Sequence, residues 1–447
     1  MTDGKMNRRT FLAAAAVGAG AVITRPLHGL AQAATAAAGG GAINAAILGA
    51  GTQGMVLLRD ALAIPGVRFK AVCDIWAYSQ KYASGTIRKA GQDAPAVFED
   101  YREMLAGAGK MDLQAVIIAT PDWMHAEQAV AAMKAGLHVY CEKEMSQSLA
   151  GAGQMVQTAR QTGRLCQIGH QRRSNPLYRF ALDLIARDKI CGRVTTCYGQ
   201  WNRPVSPAST WPEKFVIPDE TLKKYGYADA DGKPSMHEFR NWRWYRKYSA
   251  GPIADLGSHQ IDIFNWFLGA EPAAVLASGG RDFNPSRQWC QDILAVYEYN
   301  TKGGSARAFY QVLNSNGYGN YFERFMGEAG TISISEDPAR CHLAFEPAGK
   351  VPEWMTDVAT VAADGQTPFS LVEAFKKRGG PDAEAQLKKN IHRLHLENFF
   401  AAVRAGDVKL LTCPPETAYA TAAAVLAVND AVESGAKVQF KPEQFKA

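Results

Sequence analysis

The sequence lacks several features that would define its class at once. Its eight cysteines include no C-x-x-C pair, which excludes the usual zinc-site spacing and a thioredoxin-like redox motif. Cys191 and Cys197 could in principle pair in an oxidising compartment, but no disulfide framework is implied. No apolar run reaches the roughly 20 residues that a membrane-spanning helix needs, and no internal repeat is apparent.

The sequence also lacks a strong excess of charge. The formal net charge of the 447 residues is +6, but the first 33 carry Lys5, Arg8, Arg9 and Arg25 against Asp3. Without that net +3, about +3 remains, too little to indicate a polyanionic partner. We therefore expect no nucleic-acid partner. Apolar residues make up 47% of the chain, which indicates a globular protein long enough for two domains.

The amino terminus has the three parts of a twin-arginine export signal in order. Arg8-Arg9 precedes a short alanine-rich apolar run, and Ala31-Gln32-Ala33 follows as a cleavage site. We predict a signal peptide over residues 1–33, a small-residue linker over 34–42, export by the twin-arginine translocase and a periplasmic or extracytoplasmic location. The alternatives are a chance arginine pair before a flexible tail and an uncleaved terminus that tethers the protein to the membrane.

From Ile43 the apolar pattern alternates between strand and helix signals. Residues 113–119 are apolar except for Gln114, which is typical of a parallel strand covered on both faces. Repeated βαβ units predict a Rossmann doubly wound parallel sheet, an α/β fold, over residues 43–169. The predicted strands are 43–48, 67–73, 113–119, 138–141 and 165–168, and the predicted helices are 53–63, 121–135 and 149–162.

The pattern changes beyond about residue 170. Strand-like runs then follow one another with one clear helix, at residues 255–268, among them. They predict an α+β domain with a mostly antiparallel sheet over residues 170–447. Two weakly periodic stretches, 203–233 and 351–389, are predicted to be loops or lids. The predicted strands are 194–201, 274–278, 293–299, 306–312 and 331–335.

A glycine motif follows the first predicted strand and opens a helix. In Gly49-x-Gly51-x-x-Gly54, the first glycine permits a tight turn, the second lets a pyrophosphate approach the backbone, and the third packs helix on strand. Asp74 ends the second strand, where its carboxylate would bind ribose hydroxyls and repel a 2′-phosphate. The combination predicts NAD rather than NADP. The alternative is a bare glycine turn with Asp74 as a strand-end cap.

Four stretches resemble the Gfo/Idh/MocA family of oxidoreductases. They are AAILGAGTQG, AVIIATPDWMHAEQAVAAMKAGLHVYCEK, QIGHQRRSNPLY and GPIADLGSHQIDIFNWFLG. The resemblance extends from about Ile43 to the carboxyl end. It implies a Rossmann domain joined to a domain with an open-faced sheet, with the active site in the cleft between them.

The resemblance also suggests residues on the cofactor side. The family's Glu-Lys-Pro motif corresponds to Glu142-Lys143-Glu144, and the family's lysine lies near the nicotinamide and the substrate. A lysine at the carboxyl end of a parallel strand points into the ligand-binding crevice, so Lys143 is a catalytic candidate for proton exchange. The alternative is a solvated lysine. Glu144 replaces the usual proline, and its carboxylate is expected to hold Lys143 in the charged form. The other implied cofactor contacts are Thr52, Gln53, Thr120, Pro121, His125 and Glu142.

A second motif, from Asp255 to His259, resembles the family's Asp-x-x-x-His. At positions i and i+4 of a helix the two side chains share a face, so Asp255 could orient the imidazole or contact a substrate hydroxyl. His259 would remove the hydroxyl proton, which suits a histidine near neutral pH. The alternative makes Asp255 a helix cap and His259 a helix residue with a structural role.

Residues around these motifs suit a polar carbohydrate. Sugars present apolar faces to aromatic rings and hydroxyls to arginine and asparagine. Ordinary packing is the alternative for each of them and is also the interpretation preferred for His392 and His395. The basic-aromatic run at residues 240–248 is interpreted as cation–π packing beside the active site. The predicted substrate contacts are Gln171, Arg172, Asn175, Tyr178, Trp201, Arg203 and Trp242.

These residues predict an exported NAD-dependent oxidoreductase that acts on a sugar or sugar derivative. One alternative is a redox glycoside hydrolase, which cleaves a glycoside by oxidation, elimination, hydration and reduction with tightly bound NAD. A second alternative is a non-catalytic sugar-binding protein. Relatives commonly form oligomers through the open sheet, so a homo-oligomer is expected.

Overall fold

The computed structural model describes residues 41–363 and 367–447. The predicted signal peptide and all but the last two residues of the predicted linker lie outside the described residues. None of the helices in the described ranges is long and apolar enough to cross a bilayer. All eight cysteines lie in these ranges and are free thiols, so Cys191 and Cys197 do not pair.

The first domain contains a six-stranded parallel sheet in the order β3-β2-β1-β4-β5-β6. The central strand β4 is buried at every position, because helices cover both faces of the sheet. The strand order reverses between β1 and β4, and ligands of open α/β sheets bind outside the carboxyl ends of the strands at such a point. The strands are β1 (Ile43–Leu48), β2 (Val67–Cys73), β3 (Ala96–Phe98), β4 (Ala115–Ile118), β5 (His138–Cys141) and β6 (Cys166–Ile168). The helices are α1 (Thr52–Leu62), α2 (Ala77–Lys89), α3 (Tyr101–Ala106), α4 (Asp122–Lys134) and α5 (Leu149–Thr162).

The second domain contains a nine-stranded mixed sheet in the order β14-β13-β12-β11-β7-β10-β9-β8-β15. Strands β7 and β10 run parallel, and the other neighbouring pairs run antiparallel. The strands are β7 (Val194–Asn202), β8 (Pro272–Gly280), β9 (Asp292–Thr301), β10 (Gly304–Leu313), β11 (Tyr321–Gly327), β12 (Gly330–Ile334), β13 (His342–Phe345), β14 (Phe369–Ser370) and β15 (Val438–Gln439). The helices of this half are α6 (Pro176–Ala186), α7 (Asp219–Lys224), α8 (Met236–Arg240), α9 (Ser258–Leu268), α10 (Leu371–Arg378), α11 (Ala383–Leu387), α12 (Ile391–Ala405) and α13 (Pro415–Ser434).

One face of this sheet carries the domain's hydrophobic core, and the other is open. Along β9 buried and more exposed residues alternate, because successive side chains of a strand point to opposite faces. Tyr297 and Tyr299 lie in the core, which α6, α9 and α13 help to cover. On the open face Leu294 and Val296 remain partly exposed. The prediction of an α+β domain with an open, mostly antiparallel sheet is therefore confirmed.

Several sequence-based predictions of local structure were wrong. The stretch 351–389, predicted as a loop or lid, contains helices α10 and α11. Leu371 and Phe375 of α10 and Ala383 of α11 pack into the core. Both helices are too short for the apolar residues to show a clear helical periodicity in the sequence. The predicted helix 255–268 begins at Ser258, and a π-helical turn at Ile253–Gly257 precedes it. Strands β11 and β13 and helices α2, α3 and α6 were not predicted.

The carboxyl-terminal helices pack on both domains. Leu396 and Phe399 of α12 lie in the core of the Rossmann sheet, and Ala422 of α13 lies in the cluster on the sheet's other face. Other residues of α13, such as Val425 and Val428, belong to the core of the second domain. The two domains are therefore held together by shared apolar packing beside the cleft between them.

Candidate active site

A cleft of about 1090 Å³ lies between the two domains at the carboxyl ends of β1, β2, β4 and β5. Residues of the glycine motif line one part of it, with Asp74. Lys143, Asp255 and His259 line another part, together with aromatic and basic side chains of the second domain. The cleft therefore contains both the predicted cofactor residues and the predicted catalytic residues.

The glycine motif leaves the amino terminus of α1 open. Gly49 has a φ of +86°, and a Cβ there would lie 2.6 Å from the backbone nitrogen of Thr120. A Cβ on Gly54 would collide with the carbonyl oxygen of Gly49, so only glycine lets the helix approach the strand. A Cβ on Gly51 meets nothing within 4 Å, and the first turn of α1 has neither a side-chain cap nor an acidic residue. Its free N–H groups can therefore bind a pyrophosphate.

Asp74 is partly buried beneath the glycine loop. Its Oδ2 accepts a hydrogen bond from the backbone nitrogen of Ala50 at 2.7 Å, and its Oδ1 accepts one from Trp76 at 2.8 Å. Burial raises the pKa of this carboxyl to about 6, although both hydrogen bonds and the charge of Arg240 oppose the rise. Asp74 thus fixes the loop, as in the strand-end alternative, and also lines the cleft.

Thr120, Pro121 and His125 lie where β4 passes into α4, and they line the cleft opposite the glycine loop. The His125 ring lies between two carbonyl oxygens, 2.8 Å from that of Thr120 and 2.7 Å from that of Glu144. Burial lowers the pKa of His125 to about 4. The ring therefore ties the turn after β4 to the turn after β5.

Glu142 connects the glycine loop to the predicted catalytic lysine. Its Oε1 accepts a hydrogen bond from Gln53 Nε2 at 3.1 Å, and its Oε2 accepts one from the backbone nitrogen of Lys143 at 3.2 Å. Gln53 and Thr52 both line the cleft at the start of α1. This carboxylate therefore fixes the backbone from which the Lys143 side chain projects.

Lys143 pairs with Asp255 across the cleft. Its Nζ lies 3.4 Å from Oδ1 of Asp255 and also donates a hydrogen bond to the backbone carbonyl of Asp255. Nε of Arg243 lies 3.2 Å from the same Oδ1. Burial by itself would raise the pKa of Asp255, but the charges of Arg243, Lys143 and Arg203 outweigh it and hold the pKa well below its usual range. Asp255 is therefore a carboxylate at neutral pH.

Glu144 does not act as the counter-charge to Lys143 that the sequence led us to expect. Its carboxyl group is buried, with Oε1 accepting the backbone N–H of Met145 at 2.8 Å. Burial raises the pKa of Glu144 to about 8 despite the charge of Lys143, so the group is mostly protonated at neutral pH. The peptide bond between Lys143 and Glu144 is cis. Asp255, rather than Glu144, neutralises the lysine.

His259 lies in the cleft against the ring of Trp201, with the ring centroids 5.2 Å apart. Burial, followed by the charges of Lys143 and Arg172, holds the pKa of His259 well below 6.5, so the ring is neutral. Its Nδ1 is buried without a partner among the described residues. No hydrogen bond joins Asp255 to His259 within the described ranges, and the carboxylate contacts Lys143 and Arg243. That Asp255 orients the imidazole or contacts a substrate hydroxyl stays a prediction.

Four of the predicted substrate residues line the cleft: Gln171, Trp201, Arg203 and Trp242. The other three have structural contacts. Asn175 caps helix α6 by accepting the backbone N–H of Leu177 at 2.8 Å. Tyr178 is fully buried, and its hydroxyl donates to Glu323 at 2.7 Å.

Arg172 acts from beneath the cleft. It is almost fully buried, forms ion pairs with Glu323 and Glu336, and lies 5.4 Å from the ring centroid of Trp201. Adjacent residues of this short turn face different sides, so Gln171 lines the cleft and Arg172 does not. Arg172 therefore packs against Trp201 from below and does not itself line the cleft.

The sequence analysis missed several side chains that line the cleft. Asp122 is buried in the first turn of α4, and burial raises its pKa to about 7 against the charge of Arg243. Arg243 itself lies in the basic-aromatic run and packs on Trp242, its guanidinium 4.2 Å from the ring centroid, so the cation–π packing predicted for that run is present. The remaining missed residues include Trp244, Arg287, Trp289, Gln291, Asn314 and Tyr321, which come from elements that no local motif connects.

Residues 211–248, here called the strap, cross from the second domain onto the first. Trp76, two positions after Asp74, packs in an apolar cluster with strap residues such as Ile217 and Tyr227. Its indole nitrogen donates to the carbonyl oxygen of Phe215 at 2.5 Å. The strap residues Pro212, Tyr225, Phe239 and Arg240 line the cleft beside Asp74. The stretch predicted as a loop or lid at 203–233 therefore covers the cofactor half of the cleft and includes the short helix α7.

Comparison with known families agrees with this architecture. Residues 43–170 match the Gfo/Idh/MocA oxidoreductase family, NAD-binding Rossmann fold. Residues 226–333 match the Gfo/Idh/MocA C-terminal domain. The two matches fall on the two sides of the cleft.

Two individual relatives show how much of the chain is similar to proteins with assigned names. The chain is 36% identical over 145 residues to the 4-carboxy-2-hydroxymuconate-6-semialdehyde dehydrogenase of Sphingobium sp., covering 32% of this chain and 44% of that protein. It is 29% identical over 329 residues to a glycosyl hydrolase family 109 protein of Saccharopolyspora erythraea, covering 70% and 66%. The match thus spans less than two thirds of the length of either relative.

Solved structures share the fold. The aldose-aldose oxidoreductase of Caulobacter crescentus, crystallised with glycerol, superposes with a TM-score of 0.65 at 19% identity, covering 89% of this chain and all of that one. At this level of identity the likeness concerns the arrangement of the two domains.

Proposed function

Because this chain belongs to the Gfo/Idh/MocA oxidoreductase family, we propose that it is an exported NAD-dependent oxidoreductase that oxidises a hydroxyl-bearing carbon of a sugar or sugar derivative. One observation carries the proposal. Lys143, Asp255 and His259 line the same cleft as the glycine loop, beside the aromatic ring of Trp201. Catalytic, cofactor and carbohydrate-type groups thus share one site.

The residues present fit NAD. The open amino terminus of α1 suits the pyrophosphate, and the partly buried carboxyl of Asp74 lies where a 2′-phosphate would be unfavourable. When bound, NAD supplies the acceptor for the hydrogen that leaves the sugar carbon with its electron pair. Glu142 and His125 hold the two turns that border the cofactor half of the cleft.

His259 is the proposed base. Oxidation of a secondary alcohol removes the carbon-bound hydrogen with two electrons and the hydroxyl hydrogen as a proton, so the C–O bond becomes C=O. The imidazole of His259 lines the cleft and is neutral, so it can take that proton. Trp201 holds the ring from one side and presents an aromatic surface to the sugar.

Lys143 and Asp255 are proposed to position the hydroxyl while His259 takes its proton. The Lys143 ammonium can donate a hydrogen bond to the sugar oxygen, and the Asp255 carboxylate fixes its direction. Arg243 holds Asp255 from the other side, so the carboxylate is pre-oriented before substrate binds.

A second candidate function is a redox glycoside hydrolase. In that cycle the sugar is oxidised, the aglycone is eliminated, water adds, and the carbonyl is reduced again, so NAD is regenerated in place. The strap favours the hydrolase function, because it covers the cofactor half of the cleft and would slow the exchange of NAD. The relative of Saccharopolyspora erythraea that is named for glycosyl hydrolase family 109 supports it as well.

One experiment separates these functions. The mature protein is purified without added cofactor and denatured to identify any released nucleotide. The native protein is then assayed with free sugars and with nitrophenyl glycosides, beside Lys143→Ala, His259→Ala and the exposed control Lys89→Ala. NADH formed from a free sugar supports the dehydrogenase. Nitrophenol release without added acceptor supports the hydrolase, and a protein that binds sugar but is inert in both assays with NAD supplied indicates a binding protein.

We further propose export by the twin-arginine translocase. The support is the order of charged, apolar and small residues in positions 1–33. Fractionation of cells that express the full chain should recover the protein outside the cytoplasm, and Arg8→Lys with Arg9→Lys should retain it inside. Equal distribution of both forms would argue against the signal.

We also propose that a second copy of the chain covers the open face of the nine-stranded sheet. Leu276, Val296, Phe309 and Tyr198 are direct cross-strand neighbours on β8, β9, β10 and β7. Leu276 and Val296 are 49% and 37% exposed, and the rings of Phe309 and Tyr198 stack. A continuous apolar row of this kind suits a self-complementary interface.

A further inference from the structure

Two arginines in the substrate part of the cleft lack an acidic partner. Four basic side chains line this part: Lys143, Arg203, Arg243 and Arg287. Lys143 and Arg243 share the Asp255 carboxylate. Within the described residues, Arg203 and Arg287 form no ion pair.

Arg287 is the more unusual of the two, because its side chain is only 8% exposed. One of its terminal nitrogens donates to the carbonyl oxygen of Ser206 at 2.6 Å, and the guanidinium lies 4.2 Å from the ring centroid of Trp244. Its Nε is buried with no partner in the described part of the chain. Buried charges are normally paired with an opposite charge, so the Arg287 guanidinium lacks the counter-ion that its burial calls for.

Arg203 lies on the same side of the cleft. Its guanidinium lies 5.2 Å from the ring centroid of Trp201, whose ring also contacts His259. Ser206, which holds Arg287, is only three residues further along the chain. Both arginines line the cleft that also contains the proposed base.

The acids that face this space do not neutralise the two arginines. Asp255 already contacts Lys143 and Arg243, although the charge of Arg203 also lowers its pKa. Glu336 is bonded to the buried Arg172 at 2.8 Å. Asp122 is buried in α4, where desolvation favours its protonated form.

We propose that Arg203 and Arg287 bind an anionic group on the substrate, so that the sugar carries a carboxylate or a phosphate. A guanidinium can donate two parallel hydrogen bonds to either group, and stacking on tryptophan fixes its plane. The inference rests on the proposed oxidoreductase function and narrows its substrate class from sugars in general to anionic sugars.

The test compares matched substrates that differ in one group. NADH formation is measured with glucuronate against glucose, galacturonate against galactose, and glucose 6-phosphate. Binding of glucuronate and of glucose 6-phosphate to the NAD-loaded protein is measured separately by calorimetry. Wild type is compared with Arg287→Gln, Arg203→Gln and the exposed control Arg88→Gln, which lies on α2 far from the cleft.

We expect the anionic member of a pair to have the higher kcat/KM. That preference should fall roughly 10- to 100-fold in Arg287→Gln and Arg203→Gln, because a hydrogen bond between charged groups is lost. Arg88→Gln should keep the wild-type preference. A preference for glucose 6-phosphate over glucuronate would identify the anion as phosphate.

Turnover of glucose and galactose at least as efficient as that of their acids and of glucose 6-phosphate would overturn the inference and leave the oxidoreductase function intact. If no sugar is oxidised, that function fails, and calorimetry still decides the inference. Equal affinity of wild type and both arginine variants for glucuronate and for glucose 6-phosphate would overturn it. Because Arg203 is exposed, Arg203→Gln keeps the test valid if Arg287→Gln folds poorly.

Discussion

The Nζ atom of Lys143 lies 3.4 Å from Oδ1 of Asp255, although 112 positions separate the two residues in the chain. One comes from the end of β5 and the other from the π-helical turn before α9. The pair therefore bridges the cleft and makes the catalytic site dependent on the docking of the two domains.

Replacing Asp255 by Asn should remove the counter-charge of Lys143 and Arg243 while keeping the side chain's shape. We expect kcat to fall about 100-fold, the scale of a lost contribution to acid–base catalysis. Steady-state NADH formation measures it, with the exposed Asp93→Asn as the matched control. Wild-type kcat in Asp255→Asn would show that the pair has no part in the reaction.

The kcat/KM of sugar oxidation should stay constant as the pH falls from neutral to mildly acidic values. Burial and the charges of Lys143 and Arg172 hold the pKa of His259 well below 6.5, and the base is active only when neutral. As pH falls, kcat/KM should therefore decline only below pH 6.5. A pH profile of kcat/KM, with NMR titration of labelled histidine in wild type and His259→Ala, tests this. A decline centred above pH 6.5 would contradict it.

Substituting Glu144 by Gln should change how stability depends on pH. The pKa of the buried Glu144 is about 8 against an ordinary 4.5, so the folded protein retains a proton that the unfolded chain loses. Stability from this group is present below pH 4.5 and is lost as pH rises towards 8. Relative to wild type, Glu144→Gln should gain roughly 1 kcal/mol per pH unit over that range.

Urea unfolding at several pH values between 5 and 8 measures this difference. A constant offset between Glu144→Gln and wild type at every pH would mean that Glu144 does not bind a proton on folding. The exposed Glu220→Gln, on α7, is the matched control and should show no dependence on pH.

Loosening the strap should speed the loss of NAD. Trp76→Phe keeps an aromatic ring but removes the hydrogen bond to the Phe215 carbonyl. One such bond corresponds to roughly a 2- to 10-fold faster dissociation of NAD. Stopped-flow release of NADH fluorescence measures the rate, and Trp354→Phe, far from the cofactor half, is the control. Equal release rates in all three proteins would exclude a retaining role for this contact.

A charge on the open sheet face should dissociate the proposed oligomer. Val296→Asp places a carboxylate in the centre of the apolar row, where burial between two copies would leave it unpaired. Light scattering after size-exclusion chromatography should show a smaller mass than wild type. Val408→Asp, an equally simple change at a 51% exposed position, should not. A wild-type mass for Val296→Asp would place the interface elsewhere.

The cofactor half of the site could be predicted from local sequence patterns. Gly49, Gly51, Gly54 and Asp74 belong to one β-α-β unit, in which short-range geometry brings the glycine turn and the end of the next strand together. The same local logic applies to Lys143 at the end of β5. A motif within one unit is readable because few chain conformations satisfy its spacing.

The substrate half of the site depends on how distant segments pack together. The predicted contacts Asn175 and Tyr178 lie in a cap and in the core, because side-chain direction depends on how α6 packs. Arg243 and Arg287 enter the cleft from segments far apart in the sequence. The partner of Lys143 proved to be Asp255 and not the adjacent Glu144, since burial protonates Glu144 while two cations keep Asp255 charged. Burial and long-range charge follow from domain docking, which no local pattern encodes.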